Sequence, residues 1–317
     1  SNPENDWQSF IPQKFNAHTK NPSRGFVSSA NQHPVDQSYP YFIFNDGYET
    51  YRNRVINDYF NSKEKFSVKD FKDLHNNNFN LKAAELIPFM LDNLEVSVLT
   101  KKENEIYNQV KAWKFNNDIN EVGPSIWREW YGILYNLIWD ELESDKVALI
   151  KPYTYQTIYL LKNEGDNDFM DIQETTDKKE TARDLILLSF KKAAERLIEI
   201  KNKKGNYKWV NYKSTFVGHL LNDLPAFSRF NIPIGGDRNI VNATSENHGP
   251  SWRMIVEMSK PPKAFGIYPG GQSGNPGSKY YDNFIDNWAN GKYLQLEFLQ
   301  SIEETKNIIG TLILKPQ

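Results

Sequence analysis

The sequence predicts an α+β protein in which a long helical segment separates two sheet-forming ends. The first 45 residues are rich in Pro, Asn and Ser and contain only short apolar runs, whereas residues 46–201 place apolar side chains at helical spacing. After Gly205 the pattern changes to short alternating runs between Gly and Pro. We therefore assign residues 1–60 and 206–317 to a sheet-containing part and residues 61–205 to a helical subdomain.

Two short apolar runs near the start of the chain predict strands. They are residues 25–27 and 39–44, and each lies between segments with the composition of loops. We expect these strands to meet strands from the other end of the chain in one sheet.

Five segments in the middle of the chain predict helices. Ser67 and Asp70 have the spacing of a capping box, so a helix is expected to begin there. The other four are residues 81–94, 102–115, 124–142 and 181–200. Basic residues before Gly205 are typical of a C-terminal cap. The helix expected over residues 124–142 has apolar residues at three- and four-residue spacing, which indicates a core-facing side: Trp127, Trp130, Leu134, Leu137 and Ile138.

Three short runs after Gly205 predict strands. Residues 253–257 and 294–298 alternate apolar and polar side chains, and residues 264–268 can pair with the first of these runs. Between them, residues 278–288 predict a short helix.

Composition excludes several kinds of partner and chemistry. Hydrophobic residues make up 39% and charged residues 25%, which is typical of a folded protein. There are 38 Lys and Arg against 40 Asp and Glu, with no block of like charges, so we expect no nucleic-acid partner. No apolar run is long enough to span a membrane. The absence of cysteine excludes disulfides, thiol catalysis and Cys-ligated zinc.

Common catalytic motifs are also missing from the sequence. Its five histidines form neither an HExxH motif nor a close pair suited to zinc. A phosphate-binding loop, a GxGxxG motif and a GxSxG motif are absent as well. Ser273 lies in a Gly-rich segment, where a tight connection is a simpler interpretation than an exposed nucleophile.

Three polar patches are hard to explain by packing alone. In the first, Asn31 closes a run of small residues, where its side chain can donate to an oxyanion or cap a turn. The second patch contains Arg52 and Arg54 on an expected helix, where they are either ordinary surface charges or functional groups. In the third, Glu246 and His248 can form an acid–base pair or an ordinary loop network.

Together these patches resemble the penicillin acylase family, the N-terminal-nucleophile amidases that include penicillin, cephalosporin and acyl-homoserine-lactone acylases. The matching residues lie near both ends of the chain in the family's order and spacing. Near the start they are Asp6, Trp7, Phe10, Ile11, Pro12, Asn21, Pro22, Gly25, Phe26, Val27, Ala30, Asn31, Asp46, Gly47, Tyr48, Tyr51 and Arg52. Near the end they are Gly236, Asp237, Val241, Asn242, residues 248–253 and 269–276, Tyr281, Asp282, Trp288 and Gly291.

The resemblance implies a fold and a mechanism. It implies part of an αββα core with a large helical insertion, and hydrolysis of a linear acyl amide by an N-terminal serine whose own α-amine is the base. By position in the family's motifs, Asn31 is the implied oxyanion-hole residue. Arg52 is the implied arginine that orients Asn31 and tunes the α-amine electrostatically. Ile56 matches the family's apolar helix position and favours Arg52 over Arg54.

The resemblance also implies what these residues leave out. In the family the serine precedes the oxyanion asparagine by far more than the 30 residues between Ser1 and Asn31, so we expect Ser1 not to be the nucleophile. We expect a C-terminal piece of a large chain, inactive alone, with the rest of its precursor as partner and a periplasmic or secreted location. No cofactor is assigned. Calcium is left open for the complete enzyme, because Ile43 replaces an expected carboxylate and Asp46 is the nearest substitute.

Two other classes of function are left open by the sequence. One is a non-catalytic binding or scaffold domain with an acylase-like fold, which would need no self-cleavage junction upstream. The other is a carbohydrate-processing protein with paired carboxylates in an aromatic cleft, although no two carboxylates are fixed at a useful separation. The choice among β-lactam, homoserine lactone and other amides cannot be read from these residues.

Overall fold

The computed structural model describes residues 9–43, 49–143, 147, 149–221, 224–304, 307, 308 and 310–316. Within these ranges the strands are β1 (Arg253–Glu257), β2 (Lys263–Ile267) and β3 (Leu294–Leu296). The α-helices there are α1 (Tyr51–Asn61), α2 (Val68–His75), α3 (Leu81–Asp92), α4 (Lys101–Ala112), α5 (Gly123–Ile138), α6 (Thr154–Asn163), α7 (Ala182–Lys204), α8 (Trp209–Lys213) and α9 (Ile285–Ala289). None of these described helices is both long enough and apolar enough to span a bilayer.

The helical part is built around α5 and α7. Trp130 of α5 is completely buried and packs edge-on against Phe190 of α7, with 4.8 Å between ring centroids. Its Nε1 donates to the Ser189 hydroxyl at 3.1 Å, so the indole N–H is satisfied inside the core. The predicted core-facing stripe is confirmed, because its members are buried except for Leu137, which is partly buried.

Two helix ends that depend on capping are confirmed. The Ser67 hydroxyl accepts from the Asp70 backbone N–H at 3.3 Å, and the Asp70 carboxylate accepts from the Ser67 N–H at 2.7 Å. These reciprocal bonds satisfy two of the backbone donors that begin α2. Gly205 ends α7 with a φ of +80°, a left-handed conformation that glycine adopts without steric cost.

Two predicted helix ends are wrong by several residues. The helix expected over residues 102–115 ends at Ala112, because the backbone turns extended at Trp113. The indole of Trp113 then donates from Nε1 to the Asn116 carbonyl at 2.8 Å. The next helix is also shorter than expected, since a separate 3-10 turn replaces its last part.

The three strands predicted in the last third of the chain are confirmed as one antiparallel sheet of order β1-β2-β3. Arg253 pairs with Ile267 and Ala264 pairs with Leu296, so β2 lies in the middle. Helix α2 packs on β1. The helix expected over residues 278–288 is only partly formed, because helical backbone begins at Ile285, the first residue of α9.

The two strands predicted near the start of the chain are not formed by the described residues. Residues 25–27 and 39–43 have irregular backbone, and Phe44 lies outside the described residues. An extended run becomes a strand only where a neighbour completes its hydrogen-bond ladder. Phe26 instead packs on Phe60 of α1, with 5.1 Å between ring centroids. The prediction that strands from both ends share a sheet is therefore wrong for this part of the chain.

The α+β class is confirmed by these helices and this small sheet. Buried apolar residues form one cluster within residues 83–207 and a second around Trp288, with Ile232, Ile234 and Ile267 among its members. The αββα layering and the boundaries of the two sequence-based parts stay predictions.

Candidate active site

The two residues assigned to catalysis from the sequence are in contact. The Arg52 guanidinium donates from Nη2 to the side-chain oxygen Oδ1 of Asn31. Because Oδ1 accepts from arginine, the donors of that amide that are left for a ligand are the two N–H groups of Nδ2. The other candidate arginine, Arg54, donates instead to the Glu85 carboxylate on α3. The structure therefore places Arg52, and not Arg54, beside Asn31.

Local turns build the loop that contains Asn31. Asn31 has a φ of +55°, in the left-handed region that Asn adopts more readily than most non-glycine residues. The Ala30 N–H donates to Gln32 Oε1 at 2.7 Å, and Gln32 Nε2 donates to the Ser28 carbonyl at 3.3 Å. Gln32 thus closes the loop, while Asn31 stays exposed.

This loop is attached to α1, the helix that contains Arg52. Ser28 Oγ donates to Asn57 Oδ1 at 2.7 Å, and Asn57 Nδ2 donates to Asn53 Oδ1 at 2.9 Å. Asn53 and Asn57 are four residues apart and share one face of the helix. Arg52 lies in the first turn of α1, where the helix dipole disfavours a cation. Helix stability therefore does not explain an arginine at this position.

Glu49 holds the start of α1 against three other segments. Its carboxylate accepts from Asn239 Nδ2 at 2.6 Å, from the Thr154 backbone N–H at 3.0 Å and from Lys82 Nζ at 3.5 Å. Two residues further on, Tyr51 is 4% exposed, and burial raises the pKa of its phenol well above the usual value. Glu49 cannot be identified from the sequence, because a single acidic residue before a helix has no distinctive pattern.

A polar loop, residues 235–248, shares a cavity with Arg52. A cavity of about 420 Å³ is lined by Arg52, Arg238, Ala243, Ser245 and His248. A second cavity of about 320 Å³ adjoins α3 and α5, and its lining also includes Arg238 and Ser245. These two residues therefore lie between the two cavities.

Buried polar contacts fix the start of this loop. Lys213 of α8 is 2% exposed, and its Nζ donates to the Gly235 carbonyl and to Thr244 Oγ1, both at 2.8 Å. Burial lowers the pKa of the Lys213 ammonium to about 7. Trp209 Nε1 donates to the Gly236 carbonyl at 2.9 Å. Lys213 cannot be identified from the sequence, because a lysine in a short helix is usually exposed.

The acid–base pair considered for Glu246 and His248 is not found among the contacts of the described residues. Both side chains are exposed, and His248 Nδ1 instead bonds Asn247 Oδ1 at 2.7 Å. The ordinary loop network is the arrangement that the structure shows. Ser273 likewise belongs to a turn, because its Oγ accepts from the Asn275 N–H at 3.1 Å.

Motif residues near the end of the chain form a structural network. Arg253 is 3% exposed and donates to Asn242 Oδ1 at 2.6 Å and to Asn76 Oδ1 at 2.9 Å. Its guanidinium lies 5.6 Å from the ring centre of Trp288. Gly236 has a φ of +80°, and a Cβ there would lie 2.0 Å from the Asn242 carbonyl oxygen. These residues therefore tie α2, β1, α9 and the polar loop together.

The described residues contain no cluster of carboxylates of the kind that holds calcium. No three or more His, Asp or Glu side chains among them are grouped closely enough to hold a metal ion. Ile43, where a ligand carboxylate was expected, has no side-chain oxygen, and Asp46 lies outside the described residues. Calcium binding stays a prediction for the complete protein, and we assign it no chemical step.

Comparison with known families agrees with the motif analysis. The family model of penicillin amidase matches residues 1–304 of this chain. The chain belongs to the penicillin amidase family. The resemblance predicted from the motifs is thereby confirmed, and the matched range includes both Asn31 and Arg52. Ser1 and the family-like residues Asp6, Trp7 and 46–48 lie outside the described residues.

Individual members of the penicillin amidase family are distant from this chain and longer than it. An acyl-homoserine lactone acylase from Pseudomonas fluorescens is 23% identical over 92% of the chain, which spans 39% of that protein. One from Pseudomonas syringae pv. syringae is 37% identical over 82 residues, 23% of this chain and 10% of that protein. The solved structure of penicillin G acylase from Alcaligenes faecalis superposes with a TM-score of 0.55 and 12% sequence identity. The match covers 94% of this chain and 58% of the acylase chain. That likeness shows the fold alone.

Proposed function

We propose that this chain is part of an amidohydrolase of the N-terminal-nucleophile type, which hydrolyses a linear amide between an acyl chain and an amine. Membership of the penicillin amidase family supports the proposal, as do the acyl-homoserine lactone acylases among the relatives. The observation that supports it most directly is the hydrogen bond from Arg52 to Asn31. That bond orients a side-chain amide so that its N–H groups are left for a substrate oxygen.

In this proposal Asn31 is the oxyanion-hole donor. Attack of a serine hydroxyl on the amide carbonyl carbon puts negative charge on the carbonyl oxygen, and Asn31 Nδ2 donates to it. A donor of this kind stabilises the transition state by about 3 kcal/mol. Arg52 holds Asn31 Oδ1, which opposes rotation of the amide. Its positive charge also disfavours protonation of a nearby α-amine, which keeps that amine available as the base.

We further propose that the nucleophilic serine belongs to another segment of the same precursor, and that the 317 residues alone do not hydrolyse amides. The 39% share of the Pseudomonas fluorescens relative supports this. The partner of the chain is then the remainder of its precursor, released by self-cleavage, and the location is periplasmic or secreted.

Amine release by the full-length protein tests this function. N-octanoyl-L-homoserine lactone and a phenylacetyl amide are the probes, and the mature chain that contains Asn31 is sequenced from its N-terminus. Amine release by a chain that begins with serine supports the proposal. A mature chain that begins with no nucleophilic residue, in a protein that releases no amine from either probe, would contradict it and favour the scaffold alternative.

A further inference from the structure

The carboxylate of Glu49 lies at the N-terminal ends of two helices. Glu49 comes directly before Thr50, the N-cap residue of α1, and its Oε1 accepts from the backbone N–H of Thr154, the first residue of α6, at 3.0 Å. Helix N-termini favour negative charge. The Glu49 side chain is 15% exposed, so water competes little for its hydrogen bonds. The Thr50 side chain makes no capping bond within the described part of the chain. The start of α1 therefore depends on Glu49 rather than on its own cap.

The shortest hydrogen bond to Glu49 comes from the polar loop. Asn239 Nδ2 donates to Glu49 Oε2 at 2.6 Å, and a bond to a charged acceptor is about twice as strong as one between neutral groups. Lys82 Nζ lies 3.5 Å from both oxygens, at the long limit of a hydrogen bond. Two neutral donors, and not a close ion pair, therefore fix the carboxylate.

The turn that contains Asn239 is itself fixed to the core. Asp237 Oδ1 accepts from Arg128 Nη2 of α5 at 2.5 Å and from the Arg238 backbone N–H at 2.7 Å. On the other side of Asn239, Ile240 is 1% exposed, and its N–H donates to the Asp237 carbonyl at 3.1 Å. Asn239 thus presents its amide from a rigid position.

The first turn of α1 extends this connection to Arg52. Arg52 lies three residues after Glu49 and donates to Asn31 Oδ1. Between them, Tyr51 is 4% exposed, so the start of the helix cannot shift without disturbing a buried ring. Glu49 is not among the described residues that line the 420 Å³ cavity beside Arg52. Any effect of Glu49 on that cavity therefore passes through the helix.

We propose that Glu49 is a positioning residue for the site. Its hydrogen bond with Asn239 couples the 235–248 loop to the start of α1, and so sets the direction in which Arg52 meets Asn31. The inference rests on the proposed function only in taking Arg52 and Asn31 as catalytic. The coupling itself is a property of the folded chain.

Exchange of the two bonded groups in the full-length protein tests the coupling. Asn239→Asp places a second carboxylate against Glu49, so we expect kcat for amine release to fall about tenfold. Addition of Glu49→Gln should restore kcat to within about threefold of the wild type, because the new amide N–H donates to Asp and the amide oxygen still accepts from the Thr154 N–H. Asn247→Asp, which adds the same charge at an exposed position of the loop, should leave kcat unchanged.

An Arg52→Gln background separates positioning from a general effect on structure. In that background we expect Asn239→Asp to lower kcat by less than about twofold further, since no guanidinium is left to misplace. A general weakening of the fold would lower kcat by the same factor in both backgrounds. Equal losses with and without Arg52, an unchanged kcat in Asn239→Asp, or no recovery on addition of Glu49→Gln would overturn the proposal.

Hydrogen exchange at the start of α1 reports the coupling without turnover. The Arg54 backbone N–H donates to the Thr50 carbonyl at 2.9 Å in the first turn. We expect this N–H to exchange faster in Asn239→Asp and to return to the wild-type rate when Glu49→Gln is added. Recovery of exchange in a protein that releases no amine would support the coupling and contradict the proposed function. Amine release without recovery in exchange or kcat would do the reverse.

Discussion

One hydrogen bond joins an exposed loop residue, Asn31, to the first turn of α1 through Arg52. An isolated hydrogen bond at the surface contributes little to folding, because both groups would otherwise bond to water. Asn31 also has a left-handed backbone and Arg52 an unfavourable place in the helix dipole. Neither feature favours folding stability, which agrees with the catalytic roles proposed above for the two residues.

Replacement of Asn31 should remove catalysis and leave the fold intact. In the full-length protein we expect Asn31→Ala and Asn31→Gly each to lower kcat by on the order of 10²-fold or more, because the oxyanion loses its donor. Glycine adopts a φ of +55° freely, so the Gly variant separates loss of the donor from backbone strain. Steady-state amine release and thermal unfolding measure the two effects. A kcat near that of the wild type in both variants would refute the oxyanion assignment.

Replacement of Arg52 should affect rate far more than stability. We expect Arg52→Gln to lower kcat at least about tenfold, because Asn31 loses the donor that orients it, while the free energy of unfolding changes by less than about 0.5 kcal/mol. Urea denaturation and amine release measure both quantities. Arg54→Gln is the matched control on the same helix, since Arg54 pairs with Glu85 instead. Equal rate losses in the two variants would contradict the distinct role of Arg52.

Single residues were predictable where a linear motif marks them. Asn31 and Arg52 belong to such motifs, and the structure brings them together. Glu49 and Lys213 could not be predicted, because their roles depend on partners that are far away in the chain, such as Asn239 and Thr244. Burial of a charged side chain is a tertiary property that its neighbours in sequence do not encode.

Helix α2 ends at His75, a titratable residue that lies beside the sheet. His75 Nδ1 bonds the Tyr293 hydroxyl at 2.8 Å. A helix C-terminus favours a charged imidazole, but burial and the positive charge of Arg253 outweigh it and lower the pKa of His75 to about 4. The contact between α2 and the sheet is therefore more stable when His75 is neutral.

Acid should weaken this contact. Between about pH 6.5, the usual pKa of an unfolded histidine, and pH 4, the unfolded chain binds a proton that the folded chain excludes, so the free energy of unfolding falls as pH falls. Urea denaturation between pH 7 and pH 5 should show this slope in the wild type and a smaller one in His75→Gln. His18→Gln, a change at an exposed histidine, is the control. An unchanged slope in His75→Gln would contradict the assignment.

Elements were predictable where the sequence pattern is long or locally complete. Helix α5 has its full apolar stripe, and the start of α2 has its capping residues, so both were identified. The apolar character of residues 25–27 predicts a strand, yet a strand requires a pairing partner that no local pattern specifies. Short helices such as α8 were missed because one or two turns show too little periodicity.

Across the whole molecule, apolar side chains lie exposed at several separate places. Phe10 is 98% exposed, Leu220 96%, Met258 86% and Leu314 84%. Single exposed apolar side chains are common on proteins, whereas exposed apolar residues that lie together in one patch promote association.

The 317-residue chain on its own should self-associate. We expect light scattering to show a mass that grows with protein concentration, because exposed apolar side chains pair between copies. Met258→Lys should reduce that growth, and Lys263→Glu, which changes charge on the same hairpin without removing apolar surface, serves as the control. A chain that stays monomeric at all concentrations would contradict this expectation.

The attachment of the Asn31 loop to α1 has a consequence for variation in chain length. Ser28 is bonded to Asn57, so a hydrogen bond joins the loop to α1 in addition to the covalent path between Gln32 and Glu49. Doubling the length of a flexible connection costs only about 0.6 kcal/mol in closure entropy. A short insertion at the exposed turn at Gln37, before the family-like residues 46–48, should therefore be tolerated without separating Asn31 from Arg52.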